Sequence, residues 1–169
     1  MNGKWVGMTV LACAAAAGAG LYYLQVFGFY DRVSEAPGQE VLLTPTSGDP
    51  VALTVSGFEA IDADSSPIRF RACFSTEASA DDLAGFTRID GAEPRNAPFW
   101  FDCFDAPALG AAIKSGDVTV YLGTKNHAFG VDRLVAIGPD GRGWVWHELN
   151  ECGKKAYDGT VVGEACPDR

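Results

Sequence analysis

The strongest constraint on the fold of this chain is a run of twenty uncharged residues near its N-terminus, Trp5 to Leu24, in which Thr9 is the only clearly polar residue. As a helix rising about 1.5 Å per residue, the run covers about 30 Å, the thickness of the hydrocarbon core of a bilayer. Aromatic residues, whose rings prefer the headgroup level, lie towards both ends of the run: Trp5, Tyr22, Tyr23, Phe27, Phe29 and Tyr30. We therefore expect residues 1–30 to form a transmembrane signal-anchor helix.

Two other interpretations of this segment are a signal peptide and a lipoprotein signal. One is a cleaved signal peptide that uses the small residues Ala14 to Ala17, and the other is a lipoprotein signal with an acylated Cys13. Cleavage would leave a mature chain whose N-terminal part is the apolar stretch Leu21–Tyr30. The apolar region before the cleavage site would be barely of the minimum length for a signal peptide. The uncleaved anchor is therefore preferred.

Charged residues on either side of the run predict its orientation. Lys4 precedes the run, whereas Asp31 and Glu35 follow it with only Arg32 as compensation. Because positive residues favour the cytoplasmic side of a membrane, we expect a single-pass protein of the cytoplasmic (inner) membrane of a bacterial-type envelope. Its N-terminus would lie in the cytoplasm and its C-terminal domain in the periplasm.

The part of the chain beyond the anchor is acidic. It holds twelve of the 13 basic residues and all 22 acidic ones, and the formal net charge of the whole chain is −9. Proteins that bind nucleic acid hold its phosphates with clustered Lys and Arg, and the basic residues here are scattered. The expected partners are therefore the membrane and a protein of the membrane or periplasm, and not nucleic acid.

Four of the five cysteines lie beyond the anchor, at Cys73, Cys103, Cys152 and Cys166. An even number in an exported domain predicts two disulfides, and the spacing contains no C-x-x-C pair that would indicate a redox centre or a zinc ribbon. Three connectivities are possible, and chain order and local context favour Cys73–Cys103 and Cys152–Cys166. Cys13 is expected to be an inert apolar residue inside the anchor.

Turn-forming and apolar residues alternate along the rest of the chain. We expect residues 31–39, which contain a Pro-Gly pair, to be a spacer, and residues 40–169 to form one exported globular domain. Short apolar runs at Val41–Leu43 and Val51–Val55 flank the turn-forming residues 47–50, which predicts a hairpin.

Four more strands are predicted downstream. Ile68–Phe74 alternates apolar and polar residues, which is typical of a strand with one face in the core. Further strands are expected at Val118–Leu122, Val131–Ile137 and Gly143–Leu149, the last two joined as a hairpin through a Pro-Asp-Gly turn. The pattern predicts an α+β protein: a transmembrane helix, then a small, mainly antiparallel sheet domain with one or two short helices and two disulfides.

The clearest helix beyond the anchor is predicted to start at Asp105. Aspartate caps the free amides of a first turn, the following Ala-Pro suits that turn, and Gly116 can end the helix. A weaker helix, or only a turn, is expected near Ser79, where Asp81 and Asp82 would complement a helix dipole.

The densest polar cluster of the chain runs from Asp62 to Arg71. Asp62 and Asp64 resemble the start of a calcium loop, but a proline and a cysteine stand where an EF-hand needs its glycine and its bidentate glutamate. We therefore interpret Asp62, Asp64, Arg69 and Arg71 as a candidate partner or ligand patch.

The candidate patch also includes His127 and Trp100, which lie outside this polar cluster in the sequence. His127 follows a polar stretch that predicts a loop, and could be a general base only beside a nucleophile, which no G-x-S-x-G elbow supplies. Trp100 belongs to the aromatic run Phe99–Phe104, interpreted either as core packed against a disulfide or as an exposed ridge. With only two histidines in the chain, a histidine-rich metal site is excluded. No catalytic residue, metal site or cofactor is predicted.

Several stretches of the chain together carry a family resemblance: residues 1–4, 21–26, 60–74, 100–106 and 141–147, and the pair Cys152-Gly153. They resemble a domain-of-unknown-function family of short membrane-anchored proteins from alphaproteobacteria of the Rhodobacter type. The resemblance implies no activity. Members sometimes carry a histidine-kinase label, which this chain is too short to justify and for which it lacks a glycine-rich nucleotide loop.

The absence of a reactive constellation favours a non-enzymatic role, as an accessory or assembly component of a membrane protein complex. The alternative is a periplasmic ligand-binding domain or enzyme that uses the candidate patch at Asp62, Asp64, Arg69 and Arg71, or His127. A deep pocket that joins several of these residues would favour the alternative.

Overall fold

A computed structural model describes residues 2–34 and 41–167. The chain divides into two compact units, residues 1–30 and residues 31–169. Each is described by itself.

The first unit is a single apolar helix. Helix α1 spans Gly3–Tyr23 and continues into one π-helical turn at Leu24–Gly28. Within it the hydroxyl of Thr9 donates a hydrogen bond of 3.0 Å to the carbonyl of Trp5, so this polar side chain is satisfied inside the helix. Among the described residues, the 26 residues from Gly3 to Gly28 form the one helix long and apolar enough to cross a membrane. The helix is compatible with a membrane anchor or a signal sequence.

The second unit contains eight strands and one α-helix in its described part. The strands are β1 (Asp31–Val33), β2 (Leu42–Leu43), β3 (Val51–Ala52), β4 (Ser56–Asp62), β5 (Arg71–Ser75), β6 (Thr119–Ala128), β7 (Val131–Ile137) and β8 (Arg142–Leu149). Helix α2 spans Ala106–Ser115, between β5 and β6.

Six of the strands form one sheet in the order β1-β4-β5-β8-β7-β6, and every neighbouring pair is antiparallel. Strands β2 and β3 form a separate antiparallel hairpin. The α+β class, the apolar N-terminal helix, the mainly antiparallel sheet, the short helix and the two disulfides are thus all confirmed.

One face of the sheet, here called the hairpin face, packs against the β2–β3 hairpin. Its buried cluster draws side chains from β2, from strands β4 to β8 and from residues outside the strands: Val41, Leu43, Ala60, Phe70, Ala72, Phe74, Leu83, Tyr121, Val135, Ile137 and Val145. These residues alternate along their strands, as expected for a sheet with one face in the core.

The opposite face, here called the helix face, is covered by the segment between β5 and β6. Trp146 is fully buried there, with its ring edge-on to Phe104 at 6.5 Å between centroids. Leu109 and Ala106 of α2 are also buried. Because both faces are covered, residues predicted to lie on the outer face of their strand are buried as well, among them Arg71 and Cys73.

Helix α2 begins and ends where the sequence predicts. The Asp105 carboxylate accepts a hydrogen bond of 3.0 Å from the amide of Ala108, and the following proline occupies the first turn. Gly116 ends the helix in the left-handed conformation that favours glycine.

A glycine allows the closest side-chain approach inside the sheet. Gly143 on β8 stands opposite Phe74 on β5, and a Cβ atom at Gly143 would lie 2.1 Å from the ring of Phe74. The missing side chain therefore leaves space for the buried aromatic ring.

Two local expectations differ from the structure, and of the helix or turn expected near Ser79 the structure has the turn. Strand β6 extends to Ala128, so His127 lies on a strand with irregular register and not in a loop. The segment near Ser79 forms turns, held by hydrogen bonds between the side chains and backbone of Ser79 and Asp82. Within the expected spacer 31–39, Asp31–Val33 form strand β1, and residues 35–40 lie outside the described part of the chain.

Candidate functional site

A cleft of about 650 Å³ opens on the helix face, lined by α2 and by strands β4, β5 and β8. Leu109, Val118 and Trp144 give it apolar walls, and the Cys73–Cys103 disulfide lies among the lining residues. The indole of Trp144 donates a hydrogen bond of 3.1 Å to the carbonyl of Cys103, which holds the ring in place beside the disulfide. Pockets of about 300–1,000 Å³ are the size that holds small ligands or the side chains of a partner.

The charged residues that line the cleft are exposed and mostly acidic: Glu59, Asp102, Asp105, Asp117 and Asp140, with Arg142 as the one basic residue. Arg142 donates to Asp140 at 2.6 Å, and this bond holds the pKa of the Asp140 carboxyl below its usual value. None of the described lining residues is a histidine or a lysine. The cleft therefore offers apolar contact and negative charge.

A second polar site is buried on the hairpin face, where Arg133 of β7 lies opposite His147 of β8. Arg133 Nε is 3.0 Å from His147 Nε2, and Arg133 Nη2 is 3.1 Å from His127 Nε2. His147 Nδ1 is 2.6 Å from the carbonyl oxygen of Pro67. Because a guanidinium can only donate, both imidazoles accept through Nε2, and His147 donates from Nδ1 to Pro67.

Aromatic stacking closes this Arg133–histidine cluster. The ring of Phe70 stacks on His147 with 5.0 Å between centroids and 17° between planes. The Arg133 guanidinium carbon lies 4.5 Å from the centre of the same ring. The cation is thus covered by an aromatic face, which is a favourable cation–π arrangement.

Burial dominates the ionisation of the Arg133–histidine cluster. It lowers the pKa of His147 to about 3, with the charge of Arg133 acting in the same direction. Burial first, and then Arg133, also lower the pKa of His127. The pKa of Arg133 falls to about 10 because of burial, against the attraction of Asp62. Burial raises the pKa of Asp62, although the amide of Ala63 and the charge of Arg133 oppose the shift.

These interactions make the Arg133–histidine cluster a brace between strands. The acceptor nitrogen of His127 already takes a hydrogen bond from Arg133, so it offers no free lone pair for proton abstraction. Among the described residues, the two imidazoles form hydrogen bonds with Arg133 and the Pro67 carbonyl, and neither partner is a nucleophile. The described geometry therefore supports a structural role for both histidines.

Arg71, a member of the candidate patch, is buried on the helix face. Its side chain donates to four backbone carbonyl oxygens, at distances of 2.6–3.1 Å: those of Ile68, Phe70, Arg95 and Asn96. Its guanidinium carbon also lies 5.7 Å from the ring centre of Phe104. Arg71 thus ties the loop around residue 95 to the sheet, and the sequence alternation alone would have left it facing solvent.

The other patch residues have different surroundings. The charges of Asp64, Arg71 and Arg133 act on Asp62, and Arg133 also contacts His127. The ring centre of Trp100 lies 5.9 Å from the guanidinium carbon of Arg32. Asp64 is exposed and Arg69 is partly buried. None of the six patch residues lines the cleft.

The aromatic run proves to be part core and part surface. Phe101 and Phe104 are buried, whereas Phe99 is 70% exposed and Trp100 is intermediate. Both interpretations of the run therefore hold, each for different residues.

Both predicted disulfides are present with the favoured connectivity. The Cα atoms of Cys73 and Cys103 are 6.2 Å apart, and those of Cys152 and Cys166 are 4.9 Å apart. The first joins β5 to the aromatic segment before α2, and the second closes the C-terminal tail. Both separations lie in the usual range of about 4.4–6.8 Å.

Sequence reasoning missed Arg133 and the cleft. The position of Arg133 opposite residue 147 could have been predicted from the hairpin, because a turn centred on Asp140 pairs residue 133 with residue 147. The cleft had no comparable signal, since its lining comes from segments between residues 57 and 144. Among the described residues, no group of three or more His, Cys, Asp or Glu side chains is arranged to hold a metal ion.

Comparison with known proteins gives one result. No curated protein and no solved structure is significantly similar to the chain. A family model matches residues 41–167, which is well over half of the chain and almost all of its second unit. The expected membership of an uncharacterised family is therefore confirmed, and the chain belongs to the family of unknown function DUF6446.

Proposed function

We propose that this protein is a membrane-anchored accessory or assembly component of a membrane protein complex, and that its exported domain binds a partner without catalysing a reaction. The helix Gly3–Gly28 would hold the chain in the cytoplasmic membrane, with Lys4 on the cytoplasmic side. The domain would then lie in the periplasm.

Two disulfides support the exported location. Such bonds persist in oxidising compartments and are rare in the cytosol. Both bonds lie in the second unit, beyond the apolar helix. A cytoplasmic location would keep these cysteines reduced and remove the covalent bond beside the cleft.

The observation that carries the proposal is the cleft on the helix face. It is open, it has apolar walls at Leu109, Val118 and Trp144, and it contains no histidine or lysine among its described lining residues. A cleft that has apolar walls and polar groups around them is suited to receiving side chains of another molecule. The arrangement supports binding of a partner.

Site-specific photocrosslinking tests this role in intact cells. A photoreactive amino acid at Ala108, which lines the cleft, should form a crosslink to one membrane protein, because an occupant of the cleft must lie within reach of this position. Mass spectrometry of the crosslinked peptide should place the contact in an exported segment of that protein.

The matched control is the same amino acid at Ala111. This residue is exposed on the same helix but does not line the cleft. Crosslinks of equal yield at both positions would contradict the cleft as the docking site. Absence of a crosslink at Ala108, together with purification as a monomer from mild detergents, would contradict the accessory role itself.

A further inference from the structure

The charges around the cleft identify the kind of partner that it fits, if the cleft is the docking site proposed above. Glu59, Asp102 and Asp117 are exposed lining residues, and among the described residues none of them forms an ion pair. Asp105 caps α2 and Asp140 is paired with Arg142. Within the described part of the chain, three carboxylates around an apolar cleft thus have no ion-pair partner, and of these Asp117 accepts a hydrogen bond from the hydroxyl of Ser115.

The geometry of the cleft strengthens the field of these carboxylates. A cleft lined by one sign of charge with apolar walls concentrates the electrostatic potential within it. Asp117 lies directly after the C-terminus of α2, where the helix dipole is negative and favours cations. An acidic occupant would be repelled, and an apolar one would leave the carboxylates without compensation.

One intramolecular contact shows the chemistry that such an occupant would use. The guanidinium of Arg142 is held between the carboxylate of Asp140 at 2.6 Å and the ring of Trp144, whose centroid is 5.6 Å away. The side chain is 69% exposed, so it lies at the edge of the cleft and does not fill it. A basic side chain from another protein would find the same combination of carboxylates and apolar wall.

We infer that the cleft binds a basic segment of a partner protein, in which an apolar side chain enters between Leu109, Val118 and Trp144 and flanking Arg or Lys residues pair with Glu59, Asp102 and Asp117. The apolar contact supplies burial, and the charged pairs select the partner. The inference goes beyond the accessory role because it assigns the sign of charge that the partner presents.

Peptide binding to the full-length chain in neutral detergent micelles tests the inference. The probes are two fluorescently labelled peptides of equal length, one alternating Arg and Leu and the other alternating Glu and Leu. Fluorescence anisotropy should show binding of the basic peptide only, with an affinity that falls as salt is raised. The double variant Asp102→Asn with Asp117→Asn should bind it about tenfold more weakly, because two exposed ion pairs are lost.

A matched variant separates the cleft from general attraction to an acidic protein. Asp49→Asn with Asp81→Asn removes the same charge from two exposed residues that do not line the cleft, and should leave the affinity unchanged. Thermal unfolding of both variants shows whether they are folded. Equal weakening in the two variants, or equal binding of the acidic peptide, would overturn the inference.

The two proposals can fail separately. If the basic peptide does not bind while Ala108 still crosslinks to a partner, the charge assignment is wrong and the docking role stands. If the peptide binds to the cleft but Ala108 captures no partner in cells and the protein purifies as a monomer, the cleft has the inferred preference and the accessory role is wrong.

Discussion

His147 is a buried imidazole whose protonation is coupled to folding. Its acceptor nitrogen takes a hydrogen bond from Arg133 and its other nitrogen donates to Pro67, so a second proton would have to break the bond to Arg133. The folded protein therefore keeps this histidine neutral, with its pKa lowered from 6.5 to about 3. His127 is shifted in the same direction, but it lies nearer the surface.

This shift predicts how stability depends on pH. Between pH 6.5 and about 3 the unfolded chain binds a proton at His147 that the folded chain does not, so the free energy of unfolding should fall as the pH is lowered through this window. One such proton changes the free energy of unfolding by at most about 1.4 kcal/mol per pH unit. The raised pKa of Asp62 has the opposite sign and reduces the slope. Urea unfolding followed by tryptophan fluorescence at several pH values measures this pH dependence of the free energy of unfolding.

Two glutamine variants assign the pH effect to its source. His147→Gln can still accept from Arg133 and donate to Pro67 but does not titrate, so its unfolding free energy should change less between pH 6.5 and 4. His127→Gln should retain most of the pH dependence, because its imidazole is more exposed. An unchanged slope in His147→Gln would contradict the assignment.

At the scale of elements, the two disulfides hold structures of different kinds. Cys73–Cys103 joins β5, in the middle of the sheet, to the segment that carries Phe104 onto the helix face. Cys152–Cys166 closes a tail whose residues are mostly exposed, including Tyr157, Val161 and Val162. An exposed segment with few buried contacts can open without the rest of the domain.

We therefore expect the two disulfides to contribute unequally to global stability. Loop-closure entropy gives about 4 kcal/mol for the 30-residue separation of Cys73–Cys103 and about 3 kcal/mol for the 14-residue separation of Cys152–Cys166. Replacing Cys73 and Cys103 by serine should lower the urea midpoint of the whole domain. Replacing Cys152 and Cys166 should mainly make the tail sensitive to proteases, because the tail opens locally.

Limited proteolysis with mass spectrometry, combined with urea unfolding, distinguishes these outcomes. Non-reducing peptide mapping of the unaltered chain provides the control, since it should give the two predicted cystine peptides. Equal losses in the urea midpoint from the two double variants would mean that the tail unfolds together with the sheet. That result would contradict its independence.

For the whole molecule, the decisive property is the side of the membrane on which the domain lies. Lys4 before the helix and Asp31 after it favour an exported domain. A reporter enzyme that needs its own disulfides, fused after Arg169, should be active, because the periplasm allows disulfides to form. A reporter that functions only in the cytoplasm should be silent at the same position.

The charge bias itself provides the control for this fusion. Replacing Lys4 by glutamate and Asp31 by arginine reverses the flanking charges and should reduce the fraction of active exported reporter. Activity of the cytoplasmic reporter in the unaltered chain would contradict the exported location, and with it the oxidising environment that the disulfides require.

The features predicted correctly from the sequence depend on short stretches of chain. The apolar length from Trp5 to Leu24 is enough to predict the N-terminal helix, because every polar backbone group within it is satisfied by its own turn. Asp105 and Gly116 mark the ends of α2 through local capping bonds. The alternation of apolar and polar residues and the turn residues between the strands predict β7 and β8. These strands pair with each other and are neighbours in the chain.

The remaining features were decided by contacts between distant parts of the chain. Arg71 is buried because a loop around residue 95 and the ring of Phe104 cover the helix face, and no pattern within β5 records that cover. The cleft exists because α2, the first disulfide and strand β8 come together in space. The sequence by itself thus determined the apolar helix, the cysteine inventory and most of the strands, because local periodicity and capping act within a few residues. Only the tertiary structure decided which polar residues are buried and where a partner can dock, because both depend on long-range packing.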